Sequence, residues 1–192
     1  LFETGERVSI TERLVRDVQR PGAQLAELRA EGCALERVQL AGGELGALVM
    51  KDVRLVGCDL ANVKAHRMTL LRVEFVDCRL KGLSSRSIDW RDVLGENSDW
   101  SYAQMRGAEM RSCEFRGCSW QEADLQQAEL SGCVFGQCDL RRAEWNGARL
   151  ENADLRGSDV EGLQVGIGDL RGAVVDAAQA MELAKLLGVQ IR

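Results

Sequence analysis

Proline and histidine occur once each in these 192 residues, as Pro21 and His66, and aromatic residues make up only 5% of the chain. Proline cannot donate to a backbone ladder, so its scarcity leaves almost every amide able to join one. With one histidine, a Ser/His or Cys/His catalytic pair would have to run through His66, and no spacing around it supports such a pair. No apolar run approaches the ~18 residues that a membrane-spanning helix needs, and no signal-peptide pattern is visible. The expectation is a cytoplasmic protein with no membrane partner. Phosphate loops, dinucleotide fingerprints and calcium loops are also missing, so neither a cofactor nor an enzymatic activity is expected. Charge excludes little. The 25 basic residues face 30 acidic ones, for a net charge of −5. Segments 1–22 and 173–192 each sum to zero, so the excess lies between them.

What the chain does have is a period of five. From Leu25 to Leu170 almost every fifth residue is large and apolar, as in Leu35, Leu40, Leu45, Met50, Leu55 and Leu60 and again in Phe115, Trp120, Leu125, Leu130, Phe135 and Leu140. Ala30, Ala65, Ser85 and Gly95 are the breaks in the series. Two residues before each of these stops lies a smaller, mostly apolar residue, such as Val53, Cys58, Val63, Val73 or Ala153. A period of five matches neither the 3.6 of a helix nor the 2 of a strand. It requires a coil that turns side chains inward twice in every five residues. The position two after a stop is often glycine, as at Gly57 and Gly117, which suits a sharp corner. The position just before a stop is mostly polar, as at Asp124 and Asp154, where a short side chain can hydrogen-bond the turning backbone.

Four stretches of five make twenty, and identical residues recur at that spacing. Cys58, Cys78, Cys118 and Cys138 share one column, with Ser98 in the gap; Phe75, Phe115 and Phe135 share another, and Trp120 follows Trp100. Stacked coils with like residues packed on like produce this pattern. All seven cysteines take the small inward slot and read as small hydrophobes in a reducing compartment. Cys113, Cys118, Cys133 and Cys138 also have a spacing that suggests zinc. Stacking alone would gather them, however, and apolar surroundings oppose the thiolates a metal needs, so no metal is expected. The stops of residues 81–100 are Ser85, Trp90, Gly95 and Trp100. Close packing predicts that the two indoles fill the volume missing at Ser85 and Gly95.

The segments Gly132-Cys133-Val134-Phe135, Ala123-Asp124-Leu125-Gln126-Gln127 and Ala153-Asp154-Leu155-Arg156-Gly157 resemble the pentapeptide-repeat motif, commonly written A-(D/N)-L-x-x. The resemblance covers roughly Ala23 to Ala173 and is weaker over residues 23–60, where Gly43 takes a core slot. It implies an all-β solenoid, a right-handed quadrilateral β-helix of about seven to eight coils, stacked ~4.8 Å apart. The chain then divides into an N-terminal segment 1–22, a β-helix 23–173 and a terminal element 174–192. Segment 1–22 has two readings. Ser9-Ile10-Thr11-Glu12 fits a capping box that would open a capping helix. Val8, Ile10, Val15 and Val18 keep the frame of a degenerate coil, broken by Arg13 and Arg20. Residues 176–188 read as a helix between an Asp176 N-cap and a Gly188 stop, with Val189 and Ile191 as an extended tail. Its Met181, Leu183 and Leu187 are expected to bury against the last coil or a partner chain. Such helices dimerise in some proteins of the family, which implies a possible homodimer.

Function must then reside on the surface. The resemblance implies either an interaction scaffold with an unknown protein partner or, as the alternative, a DNA mimic that binds DNA gyrase or a related topoisomerase and inhibits it or protects it from quinolones. A mimic needs a continuous negative face. The candidate columns are Asp59, Asp99, Asp139 and Asp159, and beside them Asp89, Glu109, Glu129 and Asp169. Arg79 interrupts the first and Arg149 the second, while Arg91, Arg111 and Arg171 lie two residues from Asp89, Glu109 and Asp169. Mixed ladders of this kind favour the scaffold. Direct nucleic-acid binding is not expected, because every tryptophan falls at an inward stop and no basic stripe carries exposed aromatics.

Overall fold

The computed structural model describes residues 5–188. The expected tail at Val189 and Ile191 lies outside the described residues. The chain is a parallel β-solenoid of about seven turns with one short C-terminal helix. Strands β1 (Glu6–Thr11) and β2 (Leu14–Arg16) lead into four long strands, β3 (Gln24–Glu36), β4 (Glu44–Val56), β5 (Lys64–Val76) and β6 (Ser84–Glu96). Three short ones follow: β7 (Glu109–Arg111), β8 (Glu114–Arg116) and β9 (Val134–Gly136). Among the described residues pairing is parallel, with residue i facing residue i+20 everywhere but at Glu6, which faces Leu25 across a register shift: Leu28 pairs with Leu48, Leu48 with Met68, and Met68 with Ile88. Above β6 the ladder continues as single bridges, such as Asp99–Ser119 and Asp124–Glu144.

The corners explain the five-residue frame. At the position two after a stop the backbone turns through the left-handed region, at Gly57 (φ 61°) and Gly117 (φ 60°) but also at Arg37 (53°), Asp77 (51°) and Asn97 (48°). That conformation costs a residue with a side chain roughly 1–2 kcal/mol. The stack offsets it, because each corner N–H donates to the next coil: Arg37 to the Val56 carbonyl at 2.9 Å, Asp77 to Glu96 at 3.0 Å and Asn97 to Arg116 at 3.0 Å. One column departs from the rule. Residues 27, 47, 67 and 87 lie inside the long strands and are not left-handed, whereas Gly107, Gln127 and Gly147 above them are. The inward residue that follows is Leu28, Leu48, Met68 or Ile88 in the extended corners, and Ala108, Ala128 or Ala148 in the tight ones. In that column a bulky inward neighbour goes with the open turn and alanine with the tight one.

The interior is filled by stops and small slots. Trp90, Trp100, Trp120 and Trp145 are fully buried. Trp100 stacks on Trp120 with ring centroids 5.1 Å apart and planes 4° from parallel, and Phe115 stacks on Phe135 at 5.2 Å. The layer of residues 81–100 packs differently from the sequence expectation. Gly95 is filled from the coil above: a Cβ built on it would lie 2.6 Å from Cδ1 of Phe115. Ser85 is not filled at all and remains half-exposed.

At the N-terminal end the described residues 5–22 hold strands and no helix. Residues 6–18 form a further coil under β3, with Val8 against Leu28, Ile10 against Ala30 and Val15 against Leu35. Glu12, the residue that would complete a capping box, sits at a left-handed corner (φ 47°). The lower edge of β3 needs partners for its amides and carbonyls, and Ala34 N–H finds the Arg13 carbonyl at 3.1 Å. Arg13 and Arg20 break the apolar frame at this outermost coil, where both are exposed.

At the other end α1 (Ala177–Ala184) is held by a capping box. The Gln179 N–H donates to the Asp176 carboxylate at 3.0 Å, and the Asp176 N–H to Gln179 Oε1 at 2.9 Å. Gln179 is buried, and its Nε2 donates to the Leu155 carbonyl at 2.5 Å and the Ser158 carbonyl at 2.7 Å. The helix therefore docks through a glutamine that closes the last coil's open acceptors. Leu183 packs on the core beside Leu170, Ala173 and Val175. Met181 and Leu187 do not bury within the chain, where they are 52% and 61% exposed, so of the two expected places for them only Leu183 takes the one on the last coil. The stripe expected from spacing turns partly outward because Gln179, not a leucine, fixes the helix's rotation.

Candidate functional site

The first acidic column is a true ladder, with Asp59, Arg79, Asp99, Ser119, Asp139 and Asp159 bridged in order. Its charges are largely matched. Arg79 pairs with Asp59 at 2.9 Å, while Arg141 pairs with Asp139 at 2.6 Å and reaches Asp159 at 3.6 Å. The Arg141 guanidinium holds the Asp139 carboxyl below the usual carboxylate range against the opposing effect of burial. Asp99 instead accepts from the Ser101 N–H and hydroxyl, at 2.9 and 2.5 Å. In the second column Asp89, Glu109, Glu129 and Arg149 are bridged in order. Arg91 pairs with Asp89 at 3.2 Å, Arg111 with Glu109 at 2.9 Å and Arg149 with Glu129 at 3.1 Å. Asp169 does not continue this column. The chain turns at Gly166–Asp169, and Asp169 Oδ2 accepts the N–H groups of Gly147 (2.7 Å) and Gly166 (3.1 Å).

The cysteines lie in the small inward slots of the coils. All seven are buried and unpaired, and among the described residues no cluster could hold a metal ion. Cys78, Cys113 and Cys138 are held above the ordinary thiol range, first by the hydrogen bond to their stacked partner and then by burial. Their stacked partners Cys58, Cys118 and Cys133 are held below that range by the same hydrogen bonds, against the opposing effect of burial.

Two surface features remain. Near the terminal helix a cleft of about 260 Å³ is lined by Ile167, Leu183 and Leu187 among others, and Met181 and Leu186 of the terminal helical segment are exposed. On the body, the adjacent small stops Ala65 and Ser85 leave a groove of about 680 Å³. Lys64 and Ser84 stand on one side of it, His66 and Arg86 on the other, with Glu44 below and Gln104 above. The broken stops that reveal this groove are legible in the sequence. Its openness is not, because indoles in the same layer could have filled it.

The family model for pentapeptide repeats matches residues 118–157 and 133–164, with eight copies. Among solved structures, the chain resembles HetL, a pentapeptide repeat protein involved in heterocyst differentiation regulation from the cyanobacterium Nostoc sp. Strain PCC 7120. The two share 19% identity at a TM-score of 0.45, over 88% of this chain and 87% of that one. It also resembles trypsin-treated QnrB1, a plasmid-mediated fluoroquinolone resistance protein, with 18% identity, a TM-score of 0.33 and coverage of 98% and 100%. A third is the pentapeptide repeat protein Rfr23 from the cyanobacterium Cyanothece 51142, with 14% identity, a TM-score of 0.26 and coverage of 88% and 91%. No curated protein matches the chain. Among the described residues no helix is long and apolar enough to cross a membrane.

Proposed function

We propose that this pentapeptide-repeat chain is a non-enzymatic scaffold that binds another protein on its rod surface. The observation that carries the reading is the matching of charge along the acidic ladders, where Arg79, Arg91, Arg111, Arg141 and Arg149 each lie on a carboxylate. Paired in this way, the columns cannot present the potential of several kT that imitation of a DNA duplex demands. Among the described residues the interior is filled by apolar side chains, which also favours binding over catalysis. Seven free thiols in core slots support a reducing compartment, the cytoplasm.

The second reading is a DNA mimic acting on gyrase, favoured by the uninterrupted carboxylate run Asp89, Glu109 and Glu129. One titration separates the two: the protein is added to a purified gyrase supercoiling assay with and without a quinolone. The scaffold reading expects little effect. Potent inhibition or protection, abolished by Asp99→Lys with Asp139→Lys in a folded protein, would replace it by the mimic.

The exposed apolar set on the helix supports a homodimer through that end. Met181→Asp with Leu187→Asp should halve the particle mass in light scattering and leave the melting temperature of the coil unchanged, because neither side chain is buried in the chain. A monomeric wild type refutes the dimer.

A further inference from the structure

We propose that the first coil, residues 6–20, is an edge-docking site that takes an extended segment of a partner protein as one further coil, with carboxylates of that segment beneath Arg13 and Arg20. This rests on the scaffold reading and gives it a binding point. The two ends of the rod differ. At the C-terminal end α1 lies on the last coil, and Gln179 takes up the Leu155 and Ser158 carbonyls. At the other end β1 and β2 pair with β3 alone, so among the described residues no coil lies beneath them. The apolar slots record this: Val8, Ile10, Val15 and Val18 are only partly buried, whereas Leu28, Ala30, Leu35 and Val38 one coil up are buried.

The edge carries the pattern of one more ladder. Within the rod, N–H groups at set positions donate to the coil beneath, as Ala34 does to the Arg13 carbonyl at 3.1 Å and Gln39 to the Val18 carbonyl at 2.8 Å. Carbonyls at set positions accept from beneath, as Glu36 does from the Asp17 N–H at 3.0 Å and Gln39 from the Arg20 N–H at 2.9 Å. In the first coil the same positions are Leu14 and Gln19 for the donors, and Arg16 and Gln19 for the acceptors. Such an edge is a template for a further strand, whose main chain supplies the affinity.

Charge selects the strand. Residues 6–20 carry four arginines and three acids. Arg16 is bound to Glu36 at 2.8 Å and Asp17 to Arg37 at 2.7 Å, both in the coil above. The remainder is Arg7, Arg13 and Arg20 with Glu6 and Glu12, a net positive end on a chain that is acidic overall. Arg13 and Arg20 take inward slots beneath Cys33 and Leu40, which are buried and apolar, yet both arginines are exposed. Elsewhere a cation is matched by a carboxylate at the stacked position one coil away, as Lys51 is by Glu31 at 2.5 Å, Arg72 by Asp52 at 2.5 Å and Arg79 by Asp59 at 2.9 Å. For Arg13 and Arg20 the stacked position above is apolar, so the matching carboxylate has its place below. A second copy of the chain fits poorly. First coil against first coil brings the arginines of both copies together, and first coil against last coil meets the helix.

The probe is a fluorescein-labelled peptide of the chain's own residues 6–20 carrying Arg13→Glu and Arg20→Glu, followed by fluorescence anisotropy with the full chain. It should bind in a salt-sensitive way, and the peptide that keeps both arginines should bind at least about tenfold more weakly. The full chain carrying Arg13→Glu and Arg20→Glu should reverse that preference and keep its melting temperature, since both side chains are exposed. N-methylation of the acidic peptide at the position-17 amide, the donor that within the chain reaches the Glu36 carbonyl, should abolish binding, whereas a contact of charges alone would survive it. The proposal is overturned if the acidic peptide does not bind, if the charge-reversed chain does not reverse the preference, or if the N-methylated peptide binds as well. A particle mass in light scattering that falls in the charge-reversed chain would make a second copy the occupant and overturn it too. A partner captured equally by the wild-type and charge-reversed chains would retain the scaffold and reject this end.

Discussion

Replacing Leu125 by alanine measures how much one inward stop contributes. Leu125 is 0% exposed, and its column continues through Met105 below and Trp145 above, both also 0% exposed. The substitution removes three buried carbon atoms in a coil whose backbone is pinned to the next, the Leu125 N–H donating to Glu144 at 2.8 Å. A pinned coil collapses poorly into a cavity, so the cost belongs in the ordinary buried range of about 2–5 kcal/mol. For a chain of this length that lowers the melting temperature by roughly 4–20 °C. The neighbouring Asp124→Ala is the control. It loses the turn hydrogen bond from the Gln126 N–H at 3.0 Å and a half-exposed pair with Arg106, together about 1 kcal/mol or less. Urea and thermal unfolding followed by circular dichroism give both values. A loss below ~1 kcal/mol at Leu125, or equal losses at the two positions, would refute the assignment of stops to a close-packed interior.

Gly95→Val should destabilise by about 1–3 kcal/mol, because its Cβ would meet the ring of Phe115, itself enclosed by Trp100, Trp120 and Phe135; thermal melts check it. Gln179→Ala leaves the Leu155 and Ser158 carbonyls without their donor, and limited proteolysis should then cut the terminal helix before the coil. Acid should lower the stability of the rod. Arg37 holds Asp17, Arg72 holds Asp52, Arg156 holds Asp154 and the Gln179 and Gly157 N–H groups hold Asp176 below their ordinary values. Because folding depresses these carboxyls, the stability they contribute is present above the unfolded value near ~3.9 and is lost as the pH falls through the lower folded values. A melting temperature unchanged between pH 6 and pH 3 would contradict this.

The period of five, its multiple of twenty, the inward slots and the Asp176 cap were all legible in the sequence, since each depends on residues near in the chain or on a repeat that any reader can count. Stacking follows from that repeat, so Trp100 on Trp120 and Phe115 on Phe135 were legible too. Volume and hydrogen-bond partners are settled elsewhere. Phe115 fills Gly95 from the coil above, while Ser85 in the same layer is left open, and no property of either position alone separates the two outcomes. The coil at residues 6–18 forms because β3 presents unpaired amides, an edge that the local capping-box pattern does not contain. Gln179 looks like a polar helix residue until the Leu155 and Ser158 carbonyls lie beneath it, and they turn Met181 and Leu187 to the outside. The sequence by itself determined which side chains enter the core. The tertiary structure decided which gaps are filled and which donors meet acceptors, because those depend on atoms brought together from neighbouring coils.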